Sequence, residues 1–293
     1  MAEVERIDQS WLAGHPLPPI AGGKDKEARG RVLIVGGSTS VPGALLLTAD
    51  AALRVGAGKV QLGTVASATL PLGIAMPEAA VIALPEDEAG EIAETGPLTE
   101  RIARCDTLVL GPAMSPRPHT AALVEGLLAE LTGEATLLLD AAALTAIGGC
   151  VARLKRRPRP AVLTPHHGEL ATLLDIAKER IEREPERHAR DAAERFGVVV
   201  ALKSSETIVA APGEASLRYR SEAPGLGTAG SGDVLAGVIG GLLARGAAPL
   251  VATAWGVWLH GEAGRAAGVT IGPLGYRASE LAAFVPRLMP AVG

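Results

Sequence analysis

Short apolar runs, each no longer than one strand, recur along most of this chain with helical stretches between them. That alternation narrows the choice of fold more than any other feature. Residues 31–35, 59–64, 79–84, 107–110, 136–140, 161–164 and 198–203 read as strands, and 43–55 as the first helix between them. Strands that alternate with helices pair in parallel and are covered on both faces, so the expected fold class is α/β with a mainly parallel central sheet. Residues 207–211 and 216–220, joined through Pro212-Gly213-Glu214, read as a hairpin at one edge. Helices are expected at 233–245, 250–267 and 277–285, and the mixed charges of 178–195 suit an exposed helix interrupted at Pro185. Residues 1–30, with Pro16, Pro18 and Pro19, read as an N-terminal arm, and 31–293 as a single domain.

In such a sheet, ligands bind beyond the carboxyl ends of the strands. The densest candidate for that role runs from Pro224 to Gly237. Gly225, Gly227, Gly230 and Gly232 keep its backbone bare, and after Asp233 the residues Val234, Leu235, Val238, Ile239, Leu242 and Leu243 fall at helical spacing. A glycine-rich loop therefore feeds a helix N-terminus, where unpaired N–H groups and the helix dipole favour an anion. Asp233 fits two descriptions there. It can cap the helix, or it can serve as the base for a hydroxyl attacking a phosphoryl group held in that anion hole. The run is neither a Walker A loop nor a Gly-x-Gly-x-x-Gly dinucleotide fingerprint.

Other chemistry-bearing residues also follow expected strands. Gly36-Gly37-Ser38 closes the first, ahead of Pro42-Gly43-Ala44 at a helix start, and Gly111-Pro112 closes another. Asp140 ends a strand with a carboxylate that can orient a ligand or cap the next helix. Thr164-Pro165-His166-His167-Gly168-Glu169 holds paired histidines, but no second cluster at metal-ligand spacing accompanies them. Lys203 leaves a strand into Ser204, Ser205, Glu206 and Thr207, small polar company suited to a nucleotide phosphate or to a plain turn.

Composition closes off other classes. A net charge of −4 supplies no basic field for nucleic acid, and aromatic residues at 2% offer few stacking platforms. Cys105 and Cys150 form no Cys-x-x-Cys pair, no apolar run reaches membrane-spanning length, and the acidic start (Glu3, Glu5, Asp8) is unlike a signal peptide. The expectation is a cytoplasmic protein that binds neither membrane nor nucleic acid.

Taken in order, these blocks resemble one family. Pro-Gly-Leu-x-Thr-Ala-Gly-Ser-Gly-Asp-Val-Leu-Ala-Gly at 224–237, the opening block from Arg31, Thr-Pro-His-x-Gly-Glu at 164–169 and the His260-Gly261 helix are similar to the ADP/ATP-dependent NAD(P)H-hydrate dehydratases. That family is a metabolite-repair branch of the ribokinase-like superfamily. The resemblance implies a three-layer α/β/α ribokinase-like fold and conversion of the S epimer of hydrated NAD(P)H (NADHX or NADPHX) back to NAD(P)H, with ADP or ATP and Mg²⁺ as cofactors. It implies Asp233 as the catalytic base and Ala44, Gly111, His166 and Asp233 as substrate contacts. Lys203, Ser204, Ser205, Glu206, Thr207, Gly230, Ser231 and Gly232 would bind the nucleotide, Glu169 would be a polar or Mg²⁺-linked group, and the chain would form a homo-oligomer such as a tetramer. Four positions depart from the family wording: Ala113, Ala142, Ser204 and Ala223. Ser204 replaces a glycine, which implies a differently shaped loop. A vitamin-precursor kinase of the same superfamily and a catalytically idle adenine-nucleotide binder remain as alternatives.

Overall fold

The computed structural model describes residues 4–19, 26–117, 119–131 and 133–290. Within these, the apolar runs become ten strands: β1 (Glu5–Arg6), β2 (Arg31–Val35), β3 (Lys59–Val65), β4 (Ala79–Leu84), β5 (Thr107–Leu110), β6 (Thr136–Leu139), β7 (Val162–Leu163), β8 (Val199–Leu202), β9 (Glu206–Ala210) and β10 (Leu217–Arg220). All ten join one sheet in the order β1-β10-β9-β8-β7-β6-β5-β2-β3-β4. From β4 across to β8 every pairing is parallel. Each residue of β5, β6 and β8 is buried, which is why these strands run apolar without alternation.

The expected hairpin is the antiparallel β9–β10 pair, with Tyr219 opposite Thr207. It does not form the rim, however. Arg6 pairs with Arg218, so β1, from the segment read as an arm, lies outside β10. Two residues are too few to carry a strand pattern in sequence.

Of the helices Ala44–Arg54, Ser231–Ala244 and Pro249–Thr270, the second packs on both of the others, and all three lie against the sheet. The first offers Ala44, Leu45, Ala49, Ala51 and Ala52 as a small buried surface, which lets the second approach closely. Pro185 does not interrupt one exposed helix; it starts a new one, Pro185–Phe196, after Lys178–Arg183 has ended. That helix buries His188, Ala189, Ala192, Ala193 and Phe196 at helical spacing and packs on β8 and β9. Among the described residues no helix is long and apolar enough to cross a membrane.

Parallel pairing has one consequence for function. It brings the carboxyl ends of β2, β5, β6, β7 and β8 to the same side of the sheet, so Gly36, Gly111, Asp140, Thr164 and Lys203 emerge side by side.

Candidate active site

The ladder continues past the strand ends and stitches these loops together. Gly37 N–H donates to Pro112 O at 2.8 Å, Asp140 N–H to Leu110 O at 3.0 Å, Thr164 N–H to Leu139 O at 3.2 Å and Lys203 N–H to Pro165 O at 2.8 Å. Gly111 has φ of +116°, and a Cβ there would lie 1.9 Å from Asp140 O. Only glycine fits this position. The close approach expected of Gly111 is thus made, within the chain, by the Asp140 backbone. The next residue, Ala141, is held at φ 47°, ψ −128°, a strained conformation beside the acid.

Asp140 is 3% exposed, and its Oδ1 accepts from Thr164 Oγ1 at 2.7 Å and from Lys203 Nζ at 2.8 Å. Glu169 Oε2 lies 3.9 Å from the same Nζ. Burial pulls the Lys203 ammonium down, but the charges of Asp140, Glu169 and Asp233 outweigh it, and its pKa is raised. Lys203 is therefore a fixed cation ringed by three acids.

The two neighbouring histidines have separate surroundings. His166 Nδ1 accepts the N–H groups of Gly168 and Glu169 at 3.0 and 3.1 Å, while Glu169 Oε2 accepts His166 N–H at 2.8 Å. This is a capping box at the start of the His167–Leu174 helix. With Nδ1 accepting, a neutral His166 carries its proton on Nε2. Glu169 is thereby engaged by the cap and by Lys203. His167 is held down by burial and feels the charges of Glu182 and Lys178 instead.

The glycine-rich loop enters its helix at Gly230, whose φ is +86° and whose Cβ would lie 2.5 Å from Leu47 Cδ1. The helix is Ser231–Ala244; of the N–H groups in its first turn, Ser231's already donates to Thr228 O at 3.2 Å, and the helical ladder begins with Val234 N–H to Gly230 O at 3.2 Å. Asp233 is in that turn. Burial and the nearby Asp140 charge push its carboxyl up to about 6, with Lys203 and a backbone hydrogen bond opposing. A Cβ on Gly232 would lie 3.5 Å from Lys203 Nζ, so the cation and the bare helix start are neighbours.

A cavity of about 820 Å³ opens here, within the range that takes a nucleotide-sized ligand. Its wall includes His166, Lys203, Ser204, Ser205, Thr207, Ser231 and Gly232. Glu206 is not in this wall; its side chain lies on the other side of β9, 3.6 Å from Arg218. Ala44 is 7% exposed at the start of its helix and Gly111 lies at the end of β5, both outside the cavity lining. Ser204 does not share the positive φ of Ala113 at 55° and Ala141 at 47°. Its hydroxyl closes its own turn, donating to Glu206 O at 2.6 Å and accepting Glu206 N–H at 3.2 Å. A second cavity of about 800 Å³ is walled by Trp255, Trp258 and Leu288, and among the described residues its charged lining side chains are Arg54 and Arg245.

Sequence reasoning weighed Asp140 but did not include it among the site residues. The signal was present, a carboxylate ending an otherwise apolar strand, yet its partners Thr164 and Lys203 lie 24 and 63 residues away. Tyr219 and Val257 also line the cavity, and nothing in their local sequence marks them; Leu226, from the glycine-rich run itself, joins them.

A mainly parallel sheet whose carboxyl edge faces a glycine-led helix, with an acid in that helix's first turn, defines a ribokinase-like α/β protein. A ribokinase-like superfamily protein from Enterococcus faecalis shares this fold with a TM-score of 0.82 over 98% of this chain and 95% of its own, at 24% identity. An ADP/ATP-dependent NAD(P)H-hydrate dehydratase from Bacillus subtilis, co-crystallised with ATP/Mg²⁺, does so at 0.81 over 98% of both chains, also at 24% identity. The chain belongs to the NAD(P)H-hydrate dehydratase family, whose sequence model matches residues 32–287. It is 44% identical to an ADP-dependent (S)-NAD(P)H-hydrate dehydratase from Xanthomonas campestris pv. campestris, covering 98% of this chain and 96% of that one. It is 37% identical to a bifunctional NAD(P)H-hydrate repair enzyme from Moorella thermoacetica over 97% of its own length, and spans 53% of that longer protein.

Proposed function

We propose that this protein returns the S epimer of hydrated NAD(P)H to NAD(P)H, with an adenine nucleotide as phosphoryl donor and Asp233 as base. The observation that carries this reading is the placement of Asp233: an acid whose pKa is raised to about 6, in the first turn of a glycine-led helix and near the half-buried Lys203 cation. Like Gly230 it is outside the lining of the nucleotide-sized cavity, but it directly follows Ser231 and Gly232 of that wall. Its carboxylate is ionised at neutral pH yet basic enough to accept a proton, the condition a general base needs.

Asp233 takes the proton of the ring hydroxyl as that oxygen attacks the terminal phosphorus of ADP or ATP. The bond from phosphorus to the nucleotide leaving group breaks, and its electron pair departs with AMP or ADP. The Gly232 N–H and the Ser231 hydroxyl, whose own amide is given to Thr228 O, meet the charge developing on the phosphoryl oxygens. Phosphate then leaves carbon with the electron pair of the C–O bond, and loss of a proton from the adjacent carbon restores the dihydronicotinamide. In this scheme Lys203, Ser204, Ser205, Thr207, Gly230, Ser231 and Gly232 hold the nucleotide, and Ala44, Gly111 and His166 border the hydrated ring. Asp140 holds Lys203 in place.

Magnesium has no cage of its own among the described residues. Among the described residues no group of three or more His, Cys, Asp or Glu side chains could hold a metal ion, and the nearby Asp140 and Glu169 both face Lys203. These residues do not fit a protein-held ion, and no step above depends on one. Mg²⁺ commonly travels on nucleotide phosphates and waters.

The test is to supply purified S epimer with ADP and, separately, with ATP. Recovery of dihydronicotinamide absorbance together with free phosphate is the expected result. A stable phosphate ester, or nucleotide binding without turnover, overturns the reading. Self-association, which the family resemblance implies, completes the proposal and is checked by sedimentation.

A further inference from the structure

Ser231 opens the glycine-led helix and is 6% exposed. Its amide already donates to Thr228 O at 3.2 Å, so the hydroxyl is the donor it has left for a phosphate. That hydroxyl lies 2.9 Å from His260 Nε2. His260 projects from the Pro249–Thr270 helix, and its ring, like Ser231, forms part of the cavity wall. Burial lowers the imidazole to about 4, with a hydrogen bond to the Ser231 backbone opposing it and the Lys203 charge adding to it. At neutral pH the ring is therefore uncharged and carries a single N–H.

Two arrangements of one proton are open to this pair. If the hydroxyl donates to Nε2, it turns only lone pairs toward a polyphosphate and repels it. If Nε2–H donates to the hydroxyl, the hydroxyl proton is released toward the cavity and can meet a phosphate oxygen in a charge-assisted bond. An anionic ligand selects the second arrangement.

We propose that His260 is a positioning residue that donates from Nε2 to Ser231 Oγ, so that the Ser231 hydroxyl donates in turn to the terminal phosphate of the bound nucleotide. This rests on the nucleotide reading given above, but not on which hydroxyl receives the phosphoryl group. His260 touches no reacting atom; it acts through Ser231.

The experiment compares His260→Leu, which removes the donor, with His260→Gln, which keeps an N–H near the position of Nε2, and with Ser231→Ala. ADP affinity is read by calorimetry without any second substrate, and kcat with hydrated NAD(P)H. His260→Leu should lower kcat by about 10- to 100-fold, with a smaller loss of ADP affinity, because charge grows on the phosphoryl oxygens in the transition state. His260→Gln should recover most of the loss, and adding His260→Leu to Ser231→Ala should cost nothing more. A His260→Leu protein with unchanged kcat and ADP affinity overturns the proposal. So does a loss that is equally large with and without the Ser231 hydroxyl, which is the behaviour of simple packing. Should the leucine chain fail to fold, His260→Gln decides: a loss as large as that of Ser231→Ala overturns the relay. A wild-type chain that binds ADP but turns over no hydrated NAD(P)H defeats the dehydratase reading, while the binding data still judge this one.

Discussion

Replacing Asp233 by asparagine separates two consequences of burying that acid. Its pKa stands at about 6 against an ordinary 3.8. The gap corresponds to about 3 kcal/mol by which the folded state resists ionisation of this group. A carboxyl raised in the folded state leaves the chain relatively most stable where the acid is protonated in both states, below about pH 4. That margin is lost as the pH rises through about 6. Asparagine mimics the protonated acid at every pH. Asp233→Asn should therefore be more stable than wild type by about 3 kcal/mol at pH 8, with the difference fading to zero near pH 4. Urea unfolding at both pH values measures it. Over the same range the wild-type rate should fall on the acid side with a midpoint near 6, as the base becomes protonated. The variant should lose about 10²- to 10⁴-fold in turnover. A variant no more stable than wild type at pH 8 would refute the argument that burial and Asp140 oppose ionisation. Near-normal turnover would refute the assignment of the base.

Three further outcomes follow from the same geometry. Lys203→Met leaves the 3%-exposed Asp140 without its cation, which should cost about 3–5 kcal/mol by chemical denaturation and move the acid limb of any residual activity above pH 6. Gly111→Ala would set a Cβ 1.9 Å from Asp140 O, so it should displace that strand end and reduce both unfolding midpoint and activity. Ala113→Gly removes a side chain held at φ 55° and should stabilise the fold by up to about 1 kcal/mol in the same denaturation assay.

How much could be read in advance depended on how local each cause was. The parallel strands were legible because fully buried strands are apolar throughout, as 107–110 and 136–139 are. The glycine-led helix was legible because its loop and its apolar face are contiguous, from Gly225 to Leu243. The strand β1 was not, since two residues carry no period. Side-chain direction along β9 was missed as well. Alternation puts Ser205 and Thr207 in the cavity wall and turns Glu206 to Arg218 on the opposite face. Ser204, standing where the family has glycine, implied a differently shaped loop; its hydroxyl closes the turn without a positive φ, which residue order alone does not show. Among the described residues, positive φ outside glycine falls on Ala113, Ala141 and Asp175 instead.

The class of fold and the acid in the first turn of the Ser231–Ala244 helix are written in neighbouring residues whose spacing is the signal, and the family in the likeness of several motif blocks taken in order. Tertiary structure alone decided the electrostatics of that acid. Asp140, Glu169, Lys203 and Asp233 are scattered through the chain, and only parallel pairing of β6, β7 and β8 gathers the first three at one sheet edge beside the fourth. A carboxyl's affinity for its proton depends on the charges and the water around it in space, and a one-dimensional order of residues contains neither.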